Sequence, residues 1–339
     1  MELSSAKRAI GLEIDSGSAR IVELVGKPKS AKLTNIGSID LPNEAVREGL
    51  VIEPAQVGSA LKELWASRGI KERGVILGVS NQGVLVRNIT IPKVPKDKLR
   101  NVVQFQAEEH LPIPLNNVVL DYLVLGETIT SEEAQPALEV LLVAARRDML
   151  NKFLEALELA NLEPLDIDVS SMTQIGLLPE KAQAMTIAMV NVANGLNSIL
   201  ISDQGKPRLA RLGMTKIIDL AEKLDSSLSD VFNSETLAKT GASDVVIDWT
   251  NSLAGEIRSS ITYYQDQPDA SQVEGVLLSG KGAMLKGIAA YLENNINLPV
   301  RIFNPLEEFN PAKRRMAKND LDVVEYTLSA GLASRGLEG

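Results

Sequence analysis

Near the start of this chain, hydrophobic residues come in short blocks of strand length, and glycine punctuates them. Residues 9–14, 20–25 and 31–40 read as three strands of a meander, with polar turns at 15–18 and 26–29. The period then changes. Val57, Ala60, Leu61 and Leu64 recur at helical spacing and predict a helix over 54–67, with Pro54 suited to its first turn and Gly69 to its stop. Residues 74–80 and 83–91 return to strand patterning, and 97–110 predicts a helix that Leu111-Pro112-Ile113-Pro114 must break. Residues 118–125 and 137–145 predict two more strands, joined by a charged loop over 126–135, and 148–160 predicts a helix ending at Asn161.

The opening pattern then returns. Residues 185–192, 198–203 and 207–212 form a second meander, and its turns match those of the first. Gly17 corresponds to Gly195 at a spacing of 178, and the Gly26-Lys27-Pro28 turn corresponds to Gly205-Lys206-Pro207 at 179. Helical patterning follows over 216–224, 234–240 and 246–264. A buried strand over 275–278 runs into Ser279-Gly280-Lys281-Gly282-Ala283, followed by a helix (286–294), a short strand (300–303) and a tail helix (322–334). Two meanders, each followed by helices, predict an α/β fold of two duplicated lobes flanking a cleft. Each lobe carries one inserted segment, at 76–150 and at 214–258.

A length of 339 residues suits two domains, and 45% hydrophobic with 23% charged residues is the composition of a folded chain. Aromatics reach only 4%, so the cores must be built from Leu, Ile, Val and Ala. The net charge of −9 argues against nonspecific nucleic-acid binding, which needs Lys and Arg to neutralise phosphates. The Lys313-Arg314-Arg315 cluster reads as solvated surface. With no Cys, disulfides, thiolate metal sites and Cys nucleophiles are excluded, and the absence fits a reducing compartment. The one histidine, His110, stands at a predicted helix end, where a basic side chain suits the last carbonyls. Residues 1–9 hold no apolar core of signal-peptide length, and no run approaches the roughly 18 apolar residues that span a bilayer. The expectation is a cytoplasmic protein that meets the membrane only through a partner.

A strand entering a Gly/Ser-rich turn aims backbone N–H groups outward, where they satisfy phosphate oxygens. Two such turns facing each other could clamp a polyphosphate. The turn Ser279-Gly280-Lys281-Gly282-Ala283 could cover a base and ribose with bare backbone. Any one of these turns is more often merely a turn. Three in this order, two of them duplicated, weigh against that bland reading.

This order of elements, with Val276-Leu277-Leu278-Ser279-Gly280-Lys281-Gly282-Ala283 closing it, resembles the actin-like ATPase superfamily. Within it the chain resembles the type IV pilus assembly PilM family, related to the division protein FtsA. The most specific motifs are Val103-Gln104-Phe105-Gln106-Ala107-Glu108-Glu109-His110-Leu111-Pro112-Ile113-Pro114-Leu115 and Val140-Leu141-Leu142-Val143-Ala144-Ala145-Arg146-Arg147. Leu162-Glu163-Pro164-Leu165-Asp166-Ile167-Asp168 and Glu256-Ile257-Arg258-Ser259-Ser260-Ile261-Thr262-Tyr263-Tyr264 join them. The resemblance implies actin/ribonuclease H-like lobes: subdomain 1A over 1–75 and 151–182, an FtsA-type 1C over 76–150, 2A over 183–213 and 259–339, and 2B over 214–258. It implies ATP or ADP with Mg²⁺ in the cleft. It also implies self-association and a groove beside 1C for the N-terminal cytoplasmic tail of a PilN-like inner-membrane protein.

The nucleotide residues carried over are Asp15, Ser16, Gly17, Ser18, Asn194, Gly195, Gly280, Lys281, Gly282 and Ala283, with Glu235 and Lys239 for the adenosine. Glu13 and Asn191 stand where relatives hold a metal through water, and Val86, Phe105, Leu111 and Ile113 are candidates for the partner groove. The chain departs from the family where chemistry is most demanding. Glu13 replaces a shorter Asp, and Asp15 replaces a glycine, placing a carboxylate against the phosphates. Asn191 and Ala193 replace an Asp and a Gly in the second turn, and a neutral amide cannot act as a base. These departures favour a scaffold with a degenerate nucleotide cleft, in a pilus platform or a related secretion or DNA-uptake machine. The alternative is an active ATPase whose cycle drives conformational change. A sugar kinase would need a catalytic carboxylate that is not evident. An FtsA-like membrane helix is poorly matched by Leu328-Ser329-Ala330-Gly331-Leu332-Ala333-Ser334-Arg335-Gly336, whose low bulk suits packing.

Overall fold

In a computed structural model, which describes residues 7–129, 135–305, 309 and 323–338, the first meander is β1 (Arg8–Asp15), β2 (Ser18–Val25) and β3 (Lys32–Asp40). Asp15 pairs with Ser18, so the first turn is a tight one, and Gly17 takes φ +74 within it. After the short ladder of β4 (Val46–Arg47) and β5 (Leu50–Val51), α1 (Pro54–Arg68) starts on Pro54 and stops at a left-handed Gly69. Its buried face holds the expected Val57, Ala60, Leu61 and Leu64, extended by Trp65. β6 (Gly74–Val79) is buried along its whole length and runs parallel to β1, which is why its sequence is apolar without alternation.

Residues 84–146 form a unit of β7 (Val84–Pro92), α2 (Lys96–His110), β8 (Val118–Ile129) and β9 (Pro136–Arg146). Its strands form an antiparallel sheet in the order β7-β9-β8, and Leu99, Val103 and Ala107 of α2 pack with Ile91, Val140 and Leu142. β8 runs beyond the predicted strand end at Leu125, because a register shift between Val124 and Gly126 lets the ladder resume. The chain then returns to the first lobe through α3 (Arg147–Leu159), β10 (Glu163–Val169), α4 (Ser170–Thr173) and α5 (Glu180–Gln183). β10 is a strand the sequence pattern hid behind Pro164 and three carboxylates. It lies at the edge of the sheet beside β6, and its register shifts between Pro164 and Asp166, an arrangement that tolerates proline.

The second lobe comprises β11 (Thr186–Asn191), β12 (Asn197–Asp203), β13 (Lys206–Gly213), α6 (Ile217–Lys223), α7 (Ser234–Leu237) and α8 (Ala242–Gln265). It continues with β14 (Gly275–Ser279), α9 (Ile288–Ile296) and β15 (Val300–Ile302), and α10 (Thr327–Glu338) closes the chain. The two five-stranded sheets have the orders β10-β6-β1-β2-β3 and β15-β14-β11-β12-β13, the same arrangement built twice. Registers agree as well: Glu13 sits opposite Arg20 and beside Gly78, whereas Asn191 sits opposite Ser198 and beside Ser279. One difference stands out. The first ladder zips on to Asp15 and Ser18, but the second ends at Asn191 and Ser198 and leaves an open loop.

The last helix lies between the two sheets. Ala330, Ala333 and Leu337 share one core with Ala9, Val22 and Leu24 of the first lobe and Ile187, Met189 and Leu200 of the second. The approach is close enough that a Cβ on Gly11 would fall 2.1 Å from the Ser329 carbonyl oxygen. The low bulk of the tail is therefore a packing requirement. Among the described residues no helix is long and apolar enough to cross a membrane. The Lys313-Arg314-Arg315 cluster lies outside the described residues.

Candidate functional site

The three glycine-containing turns meet between the lobes, and the first turn is bonded directly into the second. The Asp15 carboxyl accepts the Asn194 amide at 2.9 Å, the Gly195 amide at 3.3 Å and its neighbour Ser16's amide at 2.7 Å. Asn194 Nδ2 reaches back to donate to the Ser16 carbonyl and to Ser18 Oγ, both at 3.0 Å. All of these residues are buried, and Gly17 between them is half-buried, where an added Cβ would fall 2.6 Å from Leu228 Cδ1 of the second lobe. Ser16, Ser18, Asn194 and Gly195, carried over as nucleotide residues, thus hold one another. The cavity beside them, lined by Glu13, Asp15, Gly78, Ser170, Asn191 and Ser198 among others, measures about 10 Å³. That is the space of a single water, and a triphosphate does not fit it in this arrangement. Asp15 and a phosphate oxygen would also compete for the same two amides.

Behind the turn lies a buried charge cluster that sequence reasoning missed in part. Arg20 is 3% exposed and stands 3.8 Å from both Glu13 and Asp15, and its Nε contacts Glu325 at 3.3 Å. Burial pushes the Glu13 carboxyl up to about 7, against the pull of Arg20 and with the help of Asp15 and Glu325. Burial also raises Asp15, opposed by Arg20 and by the amides of Ser16, Asn194 and Gly195. Burial disfavours the Arg20 charge, yet Glu13, Glu325 and Asp15 outweigh it and raise its pKa. One signal for Arg20 was available: a charge set between the apolar residues Ala19 and Ile21-Val22, which the ladder places cross-strand from Glu13. Glu325 gave none, since it arrives from 305 residues away.

In the third turn, Gly280 and Gly282 are bare for a local reason. A Cβ on Gly282 would lie 2.2 Å from Val192 Cγ1, and one on Gly280 would lie 2.6 Å from the Val192 carbonyl oxygen. The third turn is therefore packed against the second, with the Gly282 amide donating to Val192 at 3.0 Å. Ala283 is part of the second lobe's core. Lys281 is half-buried, and desolvation lowers its pKa against the opposing field of Glu325. Asn191 Nδ2 donates to Ser279 Oγ at 3.1 Å, and Ser279 donates on to Gln174 at 3.2 Å. Lys239 donates to the carbonyls of Leu224 and Asp225 just past the end of α6, while Glu235 is exposed in the first turn of α7. Among the described residues no group of three carboxylate or histidine side chains is arranged to hold a metal.

The partner-groove candidates separate. Leu111 belongs to the core beneath α2, with Ile113 packed against it, and Phe105 is 62% exposed on α2. Val86 lies on β7, which has a strand neighbour on one side only, and it lines a cavity of about 310 Å³ with Ser80, Val84, Val169 and Leu212. A second opening of about 1210 Å³ lies where β7 and β9 face β13. There Asn88 donates to the Arg208 carbonyl, and Arg208 pairs with Glu139 at 2.7 Å. Glu256, from the fourth motif, accepts the amides of Met214 and Thr215 and so holds the chain leaving β13.

Among solved structures, the chain is similar to a chain of the PilM-PilN type IV pilus biogenesis complex, with a TM-score of 0.84 and 27% identity. That match covers 98% of this chain and 99% of the other. More distantly, it shares its fold with the ethanolamine utilization protein EutJ from Carboxydothermus hydrogenoformans, at a TM-score of 0.54 and 13% identity, covering 97% and 89%. MreB 5 of Spiroplasma citri bound to AMPPNP gives a TM-score of 0.52 and 10% identity, covering 96% and 94%. These two neighbours confirm the actin-like α/β architecture. The family model for type IV pilus assembly protein PilM matches residues 11–337, and the chain belongs to that family.

Proposed function

We propose that this chain is an actin-like component of a type IV pilus assembly platform that holds the N-terminal cytoplasmic tail of a PilN-like inner-membrane protein. The observation that carries this is the near full-length similarity to a chain of the PilM-PilN complex. The edge of β7 that pairs with no strand supplies the physical means: beside its contact with β13 at Asn88, an extended tail can add a strand and lodge alternate side chains near Val86. The protein then works on the cytoplasmic face and meets the membrane through its partner. Its cleft serves as a joint rather than an engine. That part rests on Asp15, which occupies the amides a phosphate would need.

The test is a titration of the intact protein with a synthetic peptide of the PilN-like tail. Saturable binding is expected, and Val86→Asp should weaken it about tenfold or more by removing an apolar contact and setting a carboxylate beside Val84, Val169 and Leu212. Absence of binding to the intact protein would overturn the reading.

A further inference from the structure

Two successive amides of one loop, those of Asn194 and Gly195, converge on Asp15 as they would on a bound anion. Asn194 clasps the first turn from its other side through Ser16 and Ser18. A Cβ on Gly17 would fall 2.6 Å from Leu228 Cδ1, and Lys216 pairs with Glu48. Every one of these contacts joins the first lobe to the second.

The second lobe also meets the three-stranded unit at β7 and β13, through Asn88 with Arg208 and Arg208 with Glu139. β12 pairs with both β11 and β13, so the loop that receives Asp15 and the strand that walls the groove belong to one sheet. Val84 and Ala145, at the root of the three-stranded unit, pack against the first lobe's core, so a shift of that loop away from Asp15 would carry β13 away from β7.

We propose that Asp15 is a built-in anionic ligand of the second turn, which closes the lobes without nucleotide and so sets the gap between β7 and β13. This rests on the reading of the cleft as a joint. Asp15 acts here as a positioning residue. Its side chain does the work that a phosphate group would do in a nucleotide-gated cleft, but it is covalently present at all times. The closed state is then permanent, and the groove is ready before any partner arrives.

Three variants break the contact in different ways. Asp15→Ala removes the acceptor, and Asn194→Ala removes the side chain that clasps the first turn. Gly195→Ala removes no polar group but sets a methyl 2.7 Å from Ser16 Oγ and 3.0 Å from Asp15 Oδ1. The readouts are amide hydrogen exchange across the second turn and the interlobe distance between spin labels at Lys62→Cys and Lys223→Cys. Both sites are exposed, and the chain has no cysteine of its own.

Exchange at Asn194 and Gly195 is expected to rise about tenfold to a hundredfold, the effect of losing one or two hydrogen bonds to a charged group. The interlobe distance should lengthen, with α1 and α8 still protected as a sign of an intact fold. ATP with Mg²⁺ should change neither readout in the parent protein. Unchanged exchange and distance in folded Asp15→Ala and Gly195→Ala would overturn the proposal, as would closure of the parent by ATP. A failure of the tail peptide to bind while the lobes stay locked would remove the partner assignment and leave this one standing.

Discussion

Glu13 shows how burial decides the chemistry of a single residue. Its Oε2 is buried without a hydrogen-bond partner, and its pKa rises from 4.5 to about 7. A carboxyl raised in the folded state keeps a proton that the unfolded chain has already lost. Its stabilising contribution is therefore complete below about pH 4.5 and is lost as the pH rises through about 7. Glu13→Gln keeps the shape and removes the charge, and Arg20 retains Asp15 and Glu325. The urea midpoint of this variant should exceed that of the parent at pH 8 and converge with it near pH 4.5. Asp15, shifted in the same direction, leaves some residual slope. An equal difference at both pH values would show that Glu13 stays ionised in the fold. From the sequence, Asp15 reads as a group that repels phosphate, and its carboxyl does stand at the turn. Its partner Asn194 was not legible as a partner, because the contact spans 179 residues.

At the level of elements, the glycines carry meanings that composition alone does not separate. Gly69 ends a helix, as its place after an apolar stripe predicts. Gly11 and Gly331 look no different in the sequence, yet they are set by the packing of α10 against β1 and α4. A Cβ on Gly11 meets backbone atoms, the Ser329 oxygen at 2.1 Å and the Ala333 nitrogen at 2.5 Å, and neither can swing aside. Gly11→Ala should cost about 3 kcal/mol or more in chemical denaturation, because the helix must lift from the sheet. Gly255, within α8, has open space where a Cβ would stand, with no neighbouring atom within 4 Å. Gly255→Ala should instead stabilise by up to about 1 kcal/mol through helix propensity. Equal effects at the two sites would refute this account of α10. β10 was missed for a related reason: an edge strand tolerates proline and exposed carboxylates, so its pattern looks like loop.

For the whole molecule, the issue is whether two lobes on a cleft make an engine or a fixed joint. Titration of the parent with ATP and Mg²⁺ is expected to give little heat, and phosphate release should stay at background. Asp15→Gly frees the second turn's amides and should strengthen ATP binding relative to the parent. Steady turnover by the parent, abolished by Glu13→Gln, would sink the joint reading. Most of the architecture was legible beforehand, since strand alternation, helical stripes and a repeat of spacing 178 are local or periodic signals. They specify two meanders and the family pattern without any long-range contact. What the tertiary structure alone decided is which groups face each other: Asp15 with Asn194, Arg20 with Glu325, and α10 between the sheets. Such pairings join residues far apart in the chain, and one sequence encodes the types of both partners without encoding their distance.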